Sequence, residues 1–409
     1  MRYDHHTLAN GLTIVGEYNE AAQSVAIGFF ARTGSRDETP EISGVSHFLE
    51  HMMFKGSARR SAEDVDREFA EMGASYNAFT SNENTVYYGA VLPEFQEHLI
   101  DLLADMLRPS LRQEDFDTEK QVILEEIAMY KDRPAYSVYQ LAREVYHHGH
   151  PLGNSVLGST ESISALQRDQ MMAYFNLRYA PNNMVVTLTG RYDWDAAVAQ
   201  IERVCGAWQP AETPRALWEP QPIPQEHMRA DPQRDRIYLA AVAPGPSAQD
   251  DERYAADVLA QVIGGGRGSR LYWALVYPGI AHSADISYAE QDGAGAFYMF
   301  VSCDPSRTRE VIDLTRATLH TVQAEGITDD ELARARRKLA SGLVLHSETP
   351  MGRLTSVGFD WIYRGRIEPV SEQVDRLLAV TGDDVDALLR GKPFDNLTLV
   401  GLGPLAEAS

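Results

Sequence analysis

Cysteine is nearly absent: Cys205 and Cys303 are the only two in 409 residues. Two cysteines cannot build a disulfide framework, and a cysteine-based metal site would need other ligands as well. No apolar run approaches the length of about 18 residues that a membrane span requires. The opening MRYDHHTLANGLTIVGE lacks the basic-then-apolar pattern of a secretion signal, so the expected compartment is the cytoplasm. Basic residues are also scarce, 37 against 59 acidic ones, for a formal charge of −22. A nucleic-acid binder needs a basic surface to neutralise phosphates. The basic stretches here, ARR at 58–60 and RARRK at 334–338, are short and flanked by acids. No nucleic acid and no membrane are therefore expected as partners. The acidity reads first as a solvated, solubilising surface and second as a field that attracts basic peptides.

Glycine and proline mark the organisation. Six of the 20 prolines fall within 209–235, QPAETPRALWEPQPIPQEHMRADPQRD, with polar residues between them. Proline fixes φ and lacks an N–H, so regular structure is not expected there. This predicts an N-terminal domain at 1–210, a linker at 211–235 and a C-terminal domain at 236–409. The two halves look like copies. SVAIGFFART at 24–33 and IYLAAVAP at 237–244 each read as a strand, followed by an acidic turn and a helix from about 43 or about 251. LRQEDFDTEKQVILEEI at 111–127 resembles GITDDELARARRKLASG at 326–342, and NMVVTLTG at 183–190 corresponds to NLTLVGL at 396–402. Strands such as TVYYGAVL (85–92) and AFYMFVS (296–302) do not alternate strictly with the helices. The expected fold class is α+β: two homologous domains, each a mostly antiparallel mixed sheet covered by helices.

The chemistry concentrates in SGVSHFLEHMMFKGS, 43–57. His47 and His51 stand at i and i+4, so on a helix they share a face one turn apart. Two imidazoles so placed suit Zn²⁺. Glu50 lies near the same face, where a carboxylate can take a proton from water beside a metal. Phe48, Leu49, Met52, Met53 and Phe54 make this helix apolar nearly all round, so it is expected to be buried. Buried histidines and glutamate are costly unless paired or ligated. The alternative is a hydrogen-bonded core cluster without metal. A catalytic zinc wants a third protein ligand. In DTEKQVILEEIAMYK, 117–131, Glu119, Val122, Ile123, Glu126, Ile127 and Tyr130 follow the spacing of one helix face, whereas Glu125 points elsewhere. Glu126 is thus the preferred ligand and Glu119 a second buried acid.

Taken together, HFLEHMMFKGS, NAFTSNENTVYY and EKQVILEEI resemble the inverted zinc peptidases, HxxEH rather than HExxH. Within them they resemble the pitrilysin-type family, in particular its short bacterial members related to the mitochondrial processing peptidase beta subunit. The resemblance runs over essentially the whole chain, including the opening TLANGLTIV. It implies a duplicated α-β roll and one zinc per chain on His47, His51 and Glu126. It implies Glu50 as general base and Glu119 as an assisting acid that orients a ligand. The strand with the Asn-Ala pair lines the substrate channel in such enzymes; Asn77, Ala78, Phe79 and Thr80 match it here, which places Asn77, Ala78 and Phe79 at the peptide, bound as an added β-strand. On that reading Asn77 bonds a substrate carbonyl and Phe79 walls a side-chain pocket. The alternatives are a turn asparagine and a core phenylalanine.

The second half departs from the family. AADVLAQVIGGGRGSR, 255–270, contains neither His nor Glu, and Glu119 and Glu126 align with Ala335 and Gly342. The family's second half also carries an arginine and, seven residues later, a tyrosine that hold the substrate backbone and the developing oxyanion. Leu275 and His282 occupy those positions, and Arg270 is out of register. The resemblance therefore implies a catalytic subunit of a heterodimer whose paralogous partner supplies the Arg/Tyr pair, with a homodimer as the competing arrangement. A non-catalytic scaffold subunit and a closed structural zinc are the other readings; an intact HxxEH with Glu126 argues against the first, and Glu50 is poorly placed as the fourth ligand that the second needs. The run GGGRGS at 264–269 lacks the Lys-Ser/Thr ending of a phosphate loop and reads as a tight turn between helices.

Overall fold

The computed structural model describes residues 1–404 apart from Ala216 and Glu219. The chain divides into two compact units, each discontinuous in sequence. One comprises Met1–Ala128, Asn154–Ala216 and His346–Glu368; the other comprises Met129–Gly153, Leu217–Leu345 and Pro369–Ser409.

The first unit is built on six strands: β1 (Arg2–Thr7), β2 (Thr13–Tyr18), β3 (Val25–Ala31), β4 (Ser75–Thr80), β5 (Thr85–Val91) and β6 (Met184–Gly190). They lie in the order β1-β2-β6-β3-β5-β4. All neighbours are antiparallel except β2 and β6. Every residue of β3, VAIGFFA, is buried, because both faces of the sheet are covered and period-2 alternation then has no polar side. One face carries the 96–106 helix and α1 (Val45–Met53), the other the 350–364 helix. On that second face Val15, Ala26, Phe30, Val86 and Val185 pack with Leu354, Val357 and Ile362. Gly358 makes the close approach possible: a Cβ there would lie 2.4 Å from the Phe30 ring.

The second unit repeats this plan with β7 (Gln225–Ala230), β8 (Ile237–Pro244), β9 (Ser283–Gln291), β10 (Ala294–Cys303) and β11 (Thr398–Gly403), in the order β7-β11-β8-β10-β9. Position for position this matches β2-β6-β3-β5-β4, and the single parallel pair, β7 with β11, falls where β2 pairs with β6. The duplication read from the sequence is thus reproduced in strand order and direction. The 253–264 helix packs on β9, and the 134–146 helix covers the opposite face through Val138, Leu141 and Ala142.

Two details differ from the expectation. The segment 211–235 is not irregular throughout: its prolines end at Pro224 until Pro232, and the proline-free QEHMRA between them forms β7. The halves also trade helices. The 134–146 helix belongs to the C-terminal sheet although it precedes residue 210, and the 350–364 helix belongs to the N-terminal sheet although it follows 235. Each is amphipathic, and such a helix buries its stripe on whichever bare sheet face its flanking loops allow it to reach.

Candidate metal centre

α1 delivers the HxxEH residues. Its N-cap is Gly44, in the left-handed conformation at φ 91. The helix is buried as expected: Val45, Ser46, His47, Phe48, Leu49, Met52 and Met53 are all inaccessible or nearly so, and Phe48 stacks on Phe116 at a ring distance of 4.8 Å. Phe116 begins the apolar face of the 113–131 helix, so this stacking ties the two helices together. Glu119 and Glu126, seven residues apart, lie on the same face of that helix.

His47, His51 and Glu126 each bring one ligand atom to within 4.8 Å of the others, the one such group of three among the described residues. Glu126 Oε2 lies 3.7 Å from His47 Nε2 and 3.6 Å from His51 Nε2. Donors bound to one zinc at about 2.0–2.1 Å with tetrahedral angles stand about 3.4 Å apart, so the donor set fits that ion. Glu125 is exposed, as its place off the apolar face predicts; Val122, expected on that face, is 43% exposed. Glu119 is 4% exposed. Its Oε1 bonds His51 Nδ1 at 2.9 Å, and its Oε2 pairs with Lys55 Nζ at 2.6 Å. A carboxylate on Nδ1 fixes the tautomer and turns Nε2 to the metal side. His47 has no such orienting partner: its buried Nδ1 makes no hydrogen bond.

The electrostatics follow from burial and these contacts. Burial pushes the His47 imidazole down to about 3, with the neighbouring His51 adding to the effect, so it is neutral and ready to ligate. Burial also pulls His51 down, but the Glu119 hydrogen bond and the charges of Glu126, Glu119 and Glu50 outweigh it and raise the group. Glu119 is lowered: burial opposes its ionisation, yet the bonds from His51 and Lys55 prevail. Burial raises Glu50, partly countered by Thr80, whose Oγ1 donates to Glu50 Oε2 at 2.6 Å.

Lys55 was not singled out from the sequence, and Thr80 was read only as part of the channel-lining strand. Lys55 stands four residues beyond His51, but α1 ends at Met53, so helical spacing gave no signal. Thr80 closes β4, the edge strand of its sheet. Along β4, Ala78 and Thr80 point one way and Asn77 and Phe79 the other. Because Thr80 meets Glu50, the metal face carries Ala78 and Thr80. Phe79 packs on the opposite face against Tyr88 and Phe359, at ring distances of 6.2 and 6.4 Å. It is therefore half-buried against the 350–364 helix instead of walling the metal side. Asn77 is exposed, and its Oδ1 accepts the N–H of Ala78 at 2.9 Å.

In the second unit, Leu275 is fully buried within a π-helical turn, Tyr272–Val276. His282 is at the surface, 3.1 Å from Asp304. Arg270 is committed to Glu331 at 2.8 Å and to the carbonyl of Gly326. The 264–269 run is a turn between the 253–264 helix and that π-helical turn.

A duplicated sheet-and-helix fold with an HxxEH helix facing a distal glutamate defines an inverted zinc-peptidase scaffold. The family model for Insulinase (Peptidase family M16) matches residues 13–160, and that for the Peptidase M16 inactive domain matches residues 165–339. An uncharacterized zinc protease of Streptomyces coelicolor is 33% identical over 410 residues, covering 98% of this chain and 89% of the relative. The uncharacterized zinc protease YmxG of Bacillus subtilis is 30% identical, with 98% of both chains covered. The chain belongs to peptidase family M16. Solved structures agree in fold. A protease from Helicobacter pylori superposes with a TM-score of 0.88 at 20% identity, covering 98% of this chain and 99% of the other. A Peptidase M16 inactive domain from Pseudomonas fluorescens gives 0.90 at 19% identity, covering 99% and 98%. Among the described residues no helix is long and apolar enough to cross a membrane.

Proposed function

We propose that this chain is a zinc-dependent endopeptidase of the cytoplasm that hydrolyses unfolded peptides, with one zinc per chain held by His47, His51 and Glu126. The observation that carries the reading is the convergence of those three ligand atoms beside a buried carboxylate, Glu50. When bound, zinc supplies Lewis-acid polarisation of the scissile carbonyl and makes a nearby water acidic. Glu50 accepts the proton of the attacking water and returns it to the leaving amine. The Thr80 hydroxyl holds one oxygen of Glu50 and leaves the other for that exchange. Glu119, anchored by Lys55, keeps the His51 ring in its ligating orientation. The edge of β4 takes the peptide as an added strand, with the main chain of Asn77, Ala78 and Phe79 as its contacts.

The second unit presents Leu275 and His282 where the family's Arg/Tyr pair belongs; leucine has no donor, and His282 replaces the tyrosine only in part. A paralogous subunit bearing that pair is therefore the proposed partner, in a heterodimer; a homodimer that dispenses with the pair is the competing arrangement. A scaffold subunit has no use for Glu50 or for a ligand set kept so close. The test is hydrolysis of a mixed set of unstructured peptides by the purified chain, before and after a chelator and after zinc is restored. Cleavage that the chelator abolishes and zinc restores supports the peptidase. If a folded, zinc-loaded chain cleaves nothing, alone or with the paralogue, the catalytic reading fails.

A further inference from the structure

The first turn of a helix leaves N–H groups without intrahelical acceptors, and a side chain at the N-cap ordinarily accepts one of them. α1 cannot use this device. Its N-cap is Gly44, which has no side chain and sits at φ 91, and a Cβ there would lie 2.6 Å from the carbonyl oxygen of Leu157. The acceptor comes instead from six residues upstream. Glu38, 6% exposed, receives the N–H of Gly44 on Oε2 at 2.7 Å and the N–H of Ser46 on Oε1 at 2.8 Å. One carboxyl group thus spans the first turn with both oxygens, at the positive end of the helix dipole. Ser46 is pinned a second time, its Oγ lying 2.7 Å from the Tyr174 hydroxyl, which is itself 2.7 Å from Thr33 Oγ1. The next residue is His47.

We infer that Glu38 is a positioning residue for the reaction: by capping α1 through Gly44 and Ser46 it sets where the helix presents His47 and Glu50 to the facing glutamates. His47 depends on this more than His51 does. His51 is oriented by Glu119, whereas the Nδ1 of His47 has no partner, so its placement relies on the backbone that carries it. Glu119 and Glu126 sit on a separate helix, so the placement of α1 sets their distance from His47. A displacement of about 1 Å between reacting groups is enough to lower a rate about 100-fold.

This inference rests on the proposed metallopeptidase reading, and its test has one arm that needs no activity. Glu38→Gln keeps the length of the side chain and one acceptor oxygen but replaces the second acceptor by an N–H donor. Glu38→Asp keeps both acceptor oxygens and loses the reach. The first arm measures zinc affinity by competition with a chromophoric chelator; the second measures kcat and KM per zinc-loaded molecule on an unstructured peptide. The expected result for Glu38→Gln is zinc affinity weakened about 10-fold or more, kcat lowered about 10- to 100-fold and KM within about twofold, in a protein whose circular dichroism is unchanged. Glu38→Asp should lie between Gln and wild type, and it decides the matter if the Gln variant does not fold. Zinc affinity and kcat equal to wild type, with only thermal stability altered, would make Glu38 a structural residue and overturn the inference. A wild-type chain that binds zinc but cleaves nothing would count against the peptidase reading, while the affinity arm would still report on Glu38.

Discussion

The 350–364 helix gives the sharpest quantitative test of the fold, because it meets the N-terminal sheet through a buried ion pair. Arg353 and Glu17 on β2 each have side chains 3% exposed and share three N–H···O contacts of 2.6 to 3.1 Å. Replacing Arg353 by Met keeps most of the aliphatic stem and removes the charge. The carboxylate left behind then stays buried without its cation, so Arg353→Met should destabilise by about 3–5 kcal/mol at pH 7. The double variant Glu17→Gln, Arg353→Met has no stranded charge and should recover most of the loss at pH 7. Urea unfolding followed by far-UV circular dichroism at pH 7 reads both variants. A loss below about 1 kcal/mol at pH 7, or a double variant as unstable as the single one, refutes the reasoning.

Four further outcomes are expected. Glu50→Gln should retain zinc and lose about 10²- to 10⁴-fold in kcat; zinc loss measured by atomic absorption would instead make Glu50 a structural group. Glu126→Gln should weaken zinc binding at least as much as the loss of an outer hydrogen bond does, about 10- to 100-fold, whereas Glu125→Gln should not change it; equal affinities in chelator competition would move the ligand to Glu119. Gly44→Ala places a Cβ at φ 91 against Leu157 and should cost about 1–3 kcal/mol in a denaturant titration, with no cost counting against the close contact. Burial raises the Glu38 carboxyl from 4.5 to about 7 in the folded state, so that state holds a proton the unfolded chain releases between those values. Wild-type stability relative to Glu38→Gln should therefore fall by up to about 3 kcal/mol as pH rises from 4.5 to 7, and a constant difference would show that the amide donors outweigh burial.

What the sequence revealed and what it hid separate by the range of the interactions. His47, Glu50 and His51 lie within one helical turn or so, and Glu119 and Glu126 within two, so periodicity alone grouped them and set Glu125 aside. The duplication was visible because each half repeats the same strands. The helix exchange was not, because the stripes at 134–146 and 350–364 say only that each must be buried, and two bare sheet faces were available. Asn77 and Phe79 show the same limit. Period 2 divides β4 into two sets, but both faces of the sheet are covered, so hydrophobicity could not tell which set meets Glu50. Thr80, the residue that does, follows directly after Phe79.

The remaining hidden feature, Glu38, clarifies how the site is supported. His51 is held from the side chain inward, through Glu119 and Lys55 on the face where the two helices meet. His47 is held from the backbone outward, through an acceptor borrowed from the preceding loop because Gly44 cannot provide one. A glycine at an N-cap reads in sequence as a weak cap, and a glutamate six residues upstream reads as a surface acid. Only their juxtaposition shows that the weak cap permits the close backbone approach at Leu157, and that the acid restores the lost acceptor. The two ligands of one motif thus depend on different parts of the fold. Loosening the Glu119–Lys55 pair should disturb His51 and leave the first turn of α1 in place, while loosening Glu38 should do the reverse. If both substitutions instead disturbed the two histidines equally, α1 would be moving as a rigid rod and the separate supports would have no separate roles.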